Sequence, residues 1–172
     1  MALNALIIID MLNDFVLDDA PLKVPGIENI IEPIYLEASK ARKDKQKVIY
    51  LCDEHDKDDP EFMYFPPHAV KGTYGADIIN RLKPRQRDII VKKKTYSGFY
   101  GTELLSILEK NDCSEIKICG CVLNICILFT AVDALMRGFR VKILEKASAS
   151  FSRSDHEYMI RYFKDVLKID II

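Results

Sequence analysis

Three side chains stand where this sequence makes chemistry easiest to arrange. Cys126 follows an apolar run, Ile116 to Cys121, that reads as a strand, and it opens a stretch with helical spacing: Cys126, Ile127, Phe129, Thr130, Val132, Ala134, Leu135 and Met136. A thiol at a strand-to-helix turn meets unpaired N–H groups and a partial positive charge, which favour the thiolate, so Cys126 is the candidate nucleophile. A nucleophile of this kind needs a base, and Asp10 suits if burial raises its pKa. Lys93, at the end of another short apolar run, would hold carboxylate and thiolate together by charge. Plainer readings compete with each: a buried small hydrophobe for the cysteine, a turn or cap for the aspartate, and a solvated charge run for Lys92-Lys93-Lys94.

A second constellation lies in Asp53 to Tyr74, a long segment of little periodicity. Asp53-Glu54-His55, Glu61 and His68 put two imidazoles and several carboxylates in one loop, a donor set suited to zinc, manganese or iron. Loops this long tend to be functional, although the spacing matches no zinc-finger pattern and the loop could be merely solvated. No GxGxxG follows a strand, and Lys71-Gly72-Thr73-Tyr74-Gly75 lacks the ending of a phosphate-binding loop, so nucleotide cofactors are disfavoured.

The elements that must position these residues alternate. Strands are expected at Leu3 to Ile9, Lys47 to Cys52, Asp88 to Lys92, Glu115 to Cys121, Arg140 to Leu144 and Val166 to Ile171. Helices are expected at Gly26 to Lys45, with Pro33 starting or kinking it, at Ala76 to Leu82, at Thr102 to Lys110, and from Asn124 to a stop at Gly138. A last helix runs to Phe163 from a capping box at Ser154 to Glu157, which leaves His156 a residue of the capping turn. The pattern predicts one α/β domain of three layers, α/β/α, around a six-stranded, mostly parallel sheet. Such sheets carry their sites beyond the carboxyl ends of the strands, where Asp10, Asp53, Lys93 and Cys126 all fall.

Nearly half of the 172 residues are apolar and the net charge is −1, which argues against disorder and against the basic surface that nucleic-acid binding needs. The opening MALNALIIID has no basic flank, and no apolar run approaches a membrane span, so a cytosolic protein is expected. Five cysteines without a CxxC pair fit reduced thiols, with Cys119 and Cys121 sharing one face of a strand as core residues.

Several of these segments together resemble the isochorismatase-like cysteine hydrolases, most closely the nicotinamidases, over Leu3 to about Val141. The segments are Ile7-Ile8-Ile9-Asp10-Met11-Leu12-Asn13-Asp14-Phe15, Lys93-Lys94-Thr95-Tyr96-Ser97-Gly98-Phe99 and Gly120-Cys121-Val122-Leu123-Asn124-Ile125-Cys126. The resemblance implies a triad of Asp10, Lys93 and Cys126, a cis Cys121–Val122 peptide, and an oxyanion hole from the N–H groups of Val122 and Cys126. It implies one divalent metal, zinc or else iron or manganese, on Asp53, His55, Glu61 and His68. Phe15, Phe65, Tyr96 and Leu123 become the substrate contacts, with Leu123 in place of the family's threonine and Phe65 where many nicotinamidases have tryptophan. The implied reaction is hydrolysis of nicotinamide to nicotinate and ammonia through a thioester, in NAD salvage, by a homo-oligomer acting on a small-molecule amide. Alternatives are another amide or ureide hydrolase of the same fold, a metal- or ligand-binding module, or a redox-sensing thiol protein.

Overall fold

The structure, a computed structural model, describes residues 3–172; Met1 and Ala2 of the opening MALNALIIID lie outside the described residues. Six strands, β1 (Leu3–Ile9), β2 (Lys47–Asp53), β3 (Ile89–Lys93), β4 (Cys113–Cys121), β5 (Arg140–Ala149) and β6 (Asp170–Ile171), form one sheet in the order β3-β2-β1-β4-β5-β6. All five pairings are parallel. The order reverses at β1, which lies between β2 and β4, and this is where a parallel sheet opens a crevice at its carboxyl edge.

Side-chain alternation along β1 divides the core. Leu6 and Ile8 join Tyr50, Cys119 and Cys121 on one face, under the helix α2 (Glu28–Lys43) through Ile30, Ile34, Ala38 and Ala41. Ala5, Ile7 and Ile9 face the other way, toward α3 (Leu104–Lys110), α4 (Leu128–Met136) and α5 (Arg153–Arg161). A one-turn helix, α1 (Asn13–Val16), follows β1. No helix of the described residues is long and apolar enough to cross a membrane, and all five cysteines are free and buried.

The structure revises several expected boundaries. Pro33 does not start its helix: α2 begins at Glu28, and the Asn29 carbonyl that Pro33 cannot bond belongs to a residue exposed to solvent. Residues 76–82 are not a helix but two 3-10 turns, Tyr74–Ala76 and Asn80–Leu82, because Ile78 between them is extended and pairs with Leu12. The last helix is capped by Ser152, whose hydroxyl accepts from the Asp155 N–H at 3.0 Å, and Ser154 lies inside it. Val166 belongs to a π-turn extending that helix, which shortens β6 to two residues. Gly138 does end α4: its N–H bonds to Leu135 and that of Phe139 to Ala134, the paired closure of a left-handed C-cap.

Gly120 fits β4 against β1 where no other residue could. Its φ is +111°, and a Cβ there would lie 2.0 Å from the Ile9 carbonyl oxygen, which is backbone and cannot move aside. Replacing Gly120 by Ala is expected to destabilise the fold by about 3 kcal/mol or more, read as a fall in the urea midpoint at unchanged slope.

Candidate active site

Adjacent strand ends assemble one buried charge cluster. Asp10 ends β1 with φ +52°, its N–H still bonded to the Leu51 carbonyl at 2.9 Å. Its Oδ1 accepts the Asp53 N–H at 2.8 Å, and its Oδ2 lies 2.9 Å from Lys93 Nζ. Lys93 is the register partner of Asp53 across β2 and β3, and its ammonium also donates to Asp53 Oδ1 and, at 3.3 Å, to Cys126 Sγ. The ammonium thus has three N–H donors and three neighbours. Solvent reaches none of the Lys93 side chain, so the reading of Lys92-Lys93-Lys94 as a solvated run does not hold for its middle member.

Cys126 reaches this cluster from the turn after β4. The Cys121–Val122 peptide is cis, as the resemblance implied. A π-turn, Leu123–Ile127, precedes α4, and in it the N–H groups of Ile125 and Ile127 both donate to the Val122 carbonyl, with the Cys126 N–H left out of that pairing. The segment after Lys93 is tied to α4: the Ser97 hydroxyl bonds to Asp133, and the Gly98 N–H donates to Thr130 Oγ1 at 2.9 Å.

Burial decides the protonation states here. It pushes Asp10 up to about 6, helped by the Asp53 charge and opposed by Lys93 and by a hydrogen bond from the Cys126 thiol. Burial likewise pushes the Cys126 thiol well above its ordinary range; Lys93 pulls it down, but Asp10 and Asp53 oppose that pull. The helix terminus therefore does not yield a resting thiolate, which corrects the sequence expectation. Asp53 stays low despite burial because Lys93 and His55 face it. One carboxylate oxygen each from Asp10 and Asp53 and the Cys126 sulfur lie within 4.8 Å of one another, so the arrangement offers a thiol beside a base able to take its proton near neutrality.

A second donor group adjoins the first. Donor atoms of Asp53, His55 and His68, all buried, lie within 4.8 Å of one another. Glu61 is set differently from the expectation of one four-residue set: its carboxylate groups with His55 and Asp59, although Glu61 lines the same cavity as Asp53 and His68. The loop is stitched to the sheet, since the His55 N–H donates to Ala69 at 3.0 Å and the Lys71 N–H to His55 at 2.9 Å. Asp14 Oδ2 accepts the Ala69 N–H at 2.8 Å, and the Asn13 amide donates to the Tyr74 carbonyl at 2.8 Å. His68 donates from Nδ1 to the Pro66 carbonyl at 2.8 Å, which leaves its Nε2 lone pair free. Both ring nitrogens of His55 are buried without a partner in hydrogen-bond geometry, and Nε2 is the one that faces Asp53, where a cation would meet its lone pair.

Asp10 and Cys126 of the first group and Asp53 and His68 of the second line one cavity of about 410 Å³, part of it open to solvent, while Lys93 and His55 lie buried beneath its wall. Phe15, Phe65 and Tyr96, three of the residues expected to contact substrate, line it together with Leu22, Ile125 and Phe151, which sequence reasoning missed. Phe151 arrives because β5 takes extra residues where its register against β4 shifts between Ile118 and Gly120. Leu123 does not line the cavity. It is wholly buried among Ile7, Ile9 and Ile127 on the other side of the turn, so its expected role as a substrate contact is withdrawn. Asp59 was also missed, although an Asp before Pro is a recognisable start to a turn.

The family model described as the isochorismatase domain matches residues 4–169. Solved structures agree. A pyrazinamidase/nicotinamidase from Streptococcus mutans is 32% identical, with a TM-score of 0.93 over 98% of this chain and 99% of the other. A pyrazinamidase from Pyrococcus horikoshii, solved in complex with zinc, is 30% identical with a TM-score of 0.92 over 98% of each chain. An N-carbamoylsarcosine amidase from Thermoplasma acidophilum is 31% identical with a TM-score of 0.90, covering 98% of this chain and 95% of that one.

Removing the Lys93 charge strands two carboxylates in the interior. Lys93→Met is expected to cost about 3–5 kcal/mol at pH 7. Without the ammonium, Asp10 and Asp53 would titrate above their unfolded values, so protonation would favour the folded state. The deficit relative to the parent should therefore shrink as the pH is lowered from 7 toward 5, in denaturation curves run across that range.

Proposed function

The chain belongs to the isochorismatase family, and from that membership we propose that it is a cysteine amidohydrolase whose substrate is nicotinamide or a close heteroaromatic carboxamide. One observation carries the reading: the Cys126 thiol, its neighbouring base, and Asp53 and His68 of the donor group line a single cavity with aromatic walls, with His55 buried beside those two donors. A flat ring between Phe15 and Phe65 would bring its carboxamide to the sulfur.

In this mechanism Asp10, ionised above about pH 6, takes the thiol proton, and the sulfur attacks the carboxamide carbon. The N–H groups of Val122 and Cys126 hold the developing oxyanion. Lys93 keeps the carboxylate and the incipient thiolate side by side at low electrostatic cost. Asp10 returns the proton to the departing nitrogen, and ammonia leaves a thioester on Cys126. The same carboxylate then takes a proton from water, whose oxygen attacks the thioester carbon, and the proton passes to the sulfur as the carboxylic acid product leaves. Asp53, His55 and His68 would hold a divalent ion, with Glu61 beside them, and zinc is the ion we propose. When bound, it supplies a Lewis acid able to grip a ring nitrogen and fix the amide over Cys126.

The cavity's charges separate this reading from other amide hydrolases of the fold. Its charged wall groups are the carboxylates of Asp10, Asp53 and Glu61, and among the described residues no arginine or lysine lines it. A substrate bearing its own carboxylate, such as N-carbamoylsarcosine, would find no guanidinium or ammonium on that wall to pair with it.

Ammonia release from the zinc-supplemented protein should therefore give kcat/KM at least about 100-fold higher for nicotinamide and pyrazinamide than for N-carbamoylsarcosine, a gap of roughly 2.7 kcal/mol. The opposite ranking would overturn the substrate assignment, and undiminished turnover by Cys126→Ala would overturn the mechanism. A pH profile checks the base. Because Asp10 must be ionised to accept the thiol proton, kcat/KM should fall tenfold per pH unit below about 6.

A further inference from the structure

Two carboxylates flank the buried ring of His55 on opposite nitrogens. Asp53 Oδ2 lies 3.9 Å from Nε2, and Asp59 Oδ2 lies 3.1 Å from Nδ1. Neither contact is aligned as a hydrogen bond, but only Asp59 lies within hydrogen-bond distance, and of the one N–H and one lone pair of a neutral imidazole it is the nearer acceptor that can take the N–H. The other Asp59 oxygen is engaged as well: Oδ1 accepts the Glu61 N–H at 2.9 Å. Pro60 opens that 3-10 turn without an N–H of its own, so the Glu61 N–H is the first one there to need a partner. The Asp59 side chain is only 13% exposed, whereas Asp56, in the same acidic run, is exposed and pairs with Lys94.

We propose that Asp59 is the positioning residue of the metal centre: one oxygen fixes His55 with its proton on Nδ1 and its Nε2 lone pair toward Asp53 and His68, while the other anchors the turn that carries Glu61. The inference rests on the metal reading above. A single short carboxylate thereby sets one member of the donor group through its ring and, through its backbone, the Glu61 that stands beside that group. A simple turn cap would need only Oδ1, and the second contact is what makes the tautomer of His55 dependent on Asp59.

Two variants separate the roles. Asp59→Ser keeps a cap for Glu61 but cannot also reach His55. Asp59→Asn keeps the shape with one oxygen only; when that oxygen caps Glu61, its amide donates to Nδ1 and drives the proton to Nε2. Zinc affinity, measured by competition with a chromophoric chelator, should weaken 10–100-fold in both, and Asp56→Asn should match the parent. Nitrogen NMR of the histidines in metal-free protein, followed through a rising pH series until the His55 ring has lost its second proton, should show the remaining proton at Nδ1 in the parent and at Nε2 in Asp59→Asn. Parental zinc affinity in Asp59→Ser would overturn the proposal, as would an equal loss in Asp56→Asn, which would mark a general charge effect. If the parent itself takes up no zinc, the metal reading falls, and an unchanged His55 spectrum in Asp59→Asn would still overturn the role of Asp59.

Discussion

The ammonium of Lys93 is the constraint on which the rest of the structure depends. A lysine charge removed from water costs several kcal/mol unless it is met by opposite charge at hydrogen-bond distance. Asp10 and Asp53 meet it, and they hold Lys93 protonated well above its ordinary range although burial pulls the other way. The arrangement requires the ends of three strands to finish level, and the sheet supplies this. Ile9 pairs with Leu51 two residues before Asp53, and Asp53 pairs directly with Lys93. A register slip at either pairing would leave a charge stranded, so the cluster specifies the alignment of β1, β2 and β3 as much as it is produced by it.

The same cluster settles a competition at Cys126. A helix terminus favours the thiolate by about 0.3–2 kcal/mol. Against it stands the loss of water around the sulfur together with two carboxylates within a few ångströms. The cluster already holds two negative charges and one positive, so a resting thiolate would add an excess that Lys93 cannot neutralise. The thiol form wins, and a neighbouring base becomes a necessity rather than a convenience. The desolvation that raises the thiol also raises Asp10 to about 6, so donor and acceptor shift together and the transfer between them stays within reach.

How much of this was legible in the sequence depends on how local each signal was. The run Leu3 to Ile9, apolar but for Asn4 near its start, gave β1 its bounds because a strand buried on both faces needs apolar residues throughout its buried length, and Asp10 had to fall just beyond it. The three motif segments led to the charge cluster because each brings one of its members with its own turn. Leu123 failed for the opposite reason. Two residues of one turn can face different layers, and only the π-turn decides that Leu123 enters the core while Ile125 faces the cavity. Phe151 is placed by a register shift in β5, and the break at Ile78 by a bridge to Leu12, both set by chain far away in sequence. Asp59 carried a turn signal, but which acceptor faces which ring nitrogen is a tertiary fact.

The two halves of the site are coupled through one short piece of chain. Asp10 serves the sulfur, Asn13 and Asp14 hold the loop that carries His68, and Phe15 forms a wall of the cavity and packs edge-on against the His68 ring, with centroids 5.5 Å apart. Gly75 belongs to the same lock, because a Cβ there would lie 2.1 Å from the Asp14 carboxylate. The distance between the thiol and the imidazoles is therefore set by six consecutive residues anchored in the central strand, not by the long loop itself. A loop of some twenty residues would ordinarily sample many conformations, at an ordering cost of about 1–2 kcal/mol per residue. Pairing its return path to β2 and to residues 13 and 14 lets the sheet's own stability meet that cost, so the histidines stand ready beside the thiol before anything binds between them.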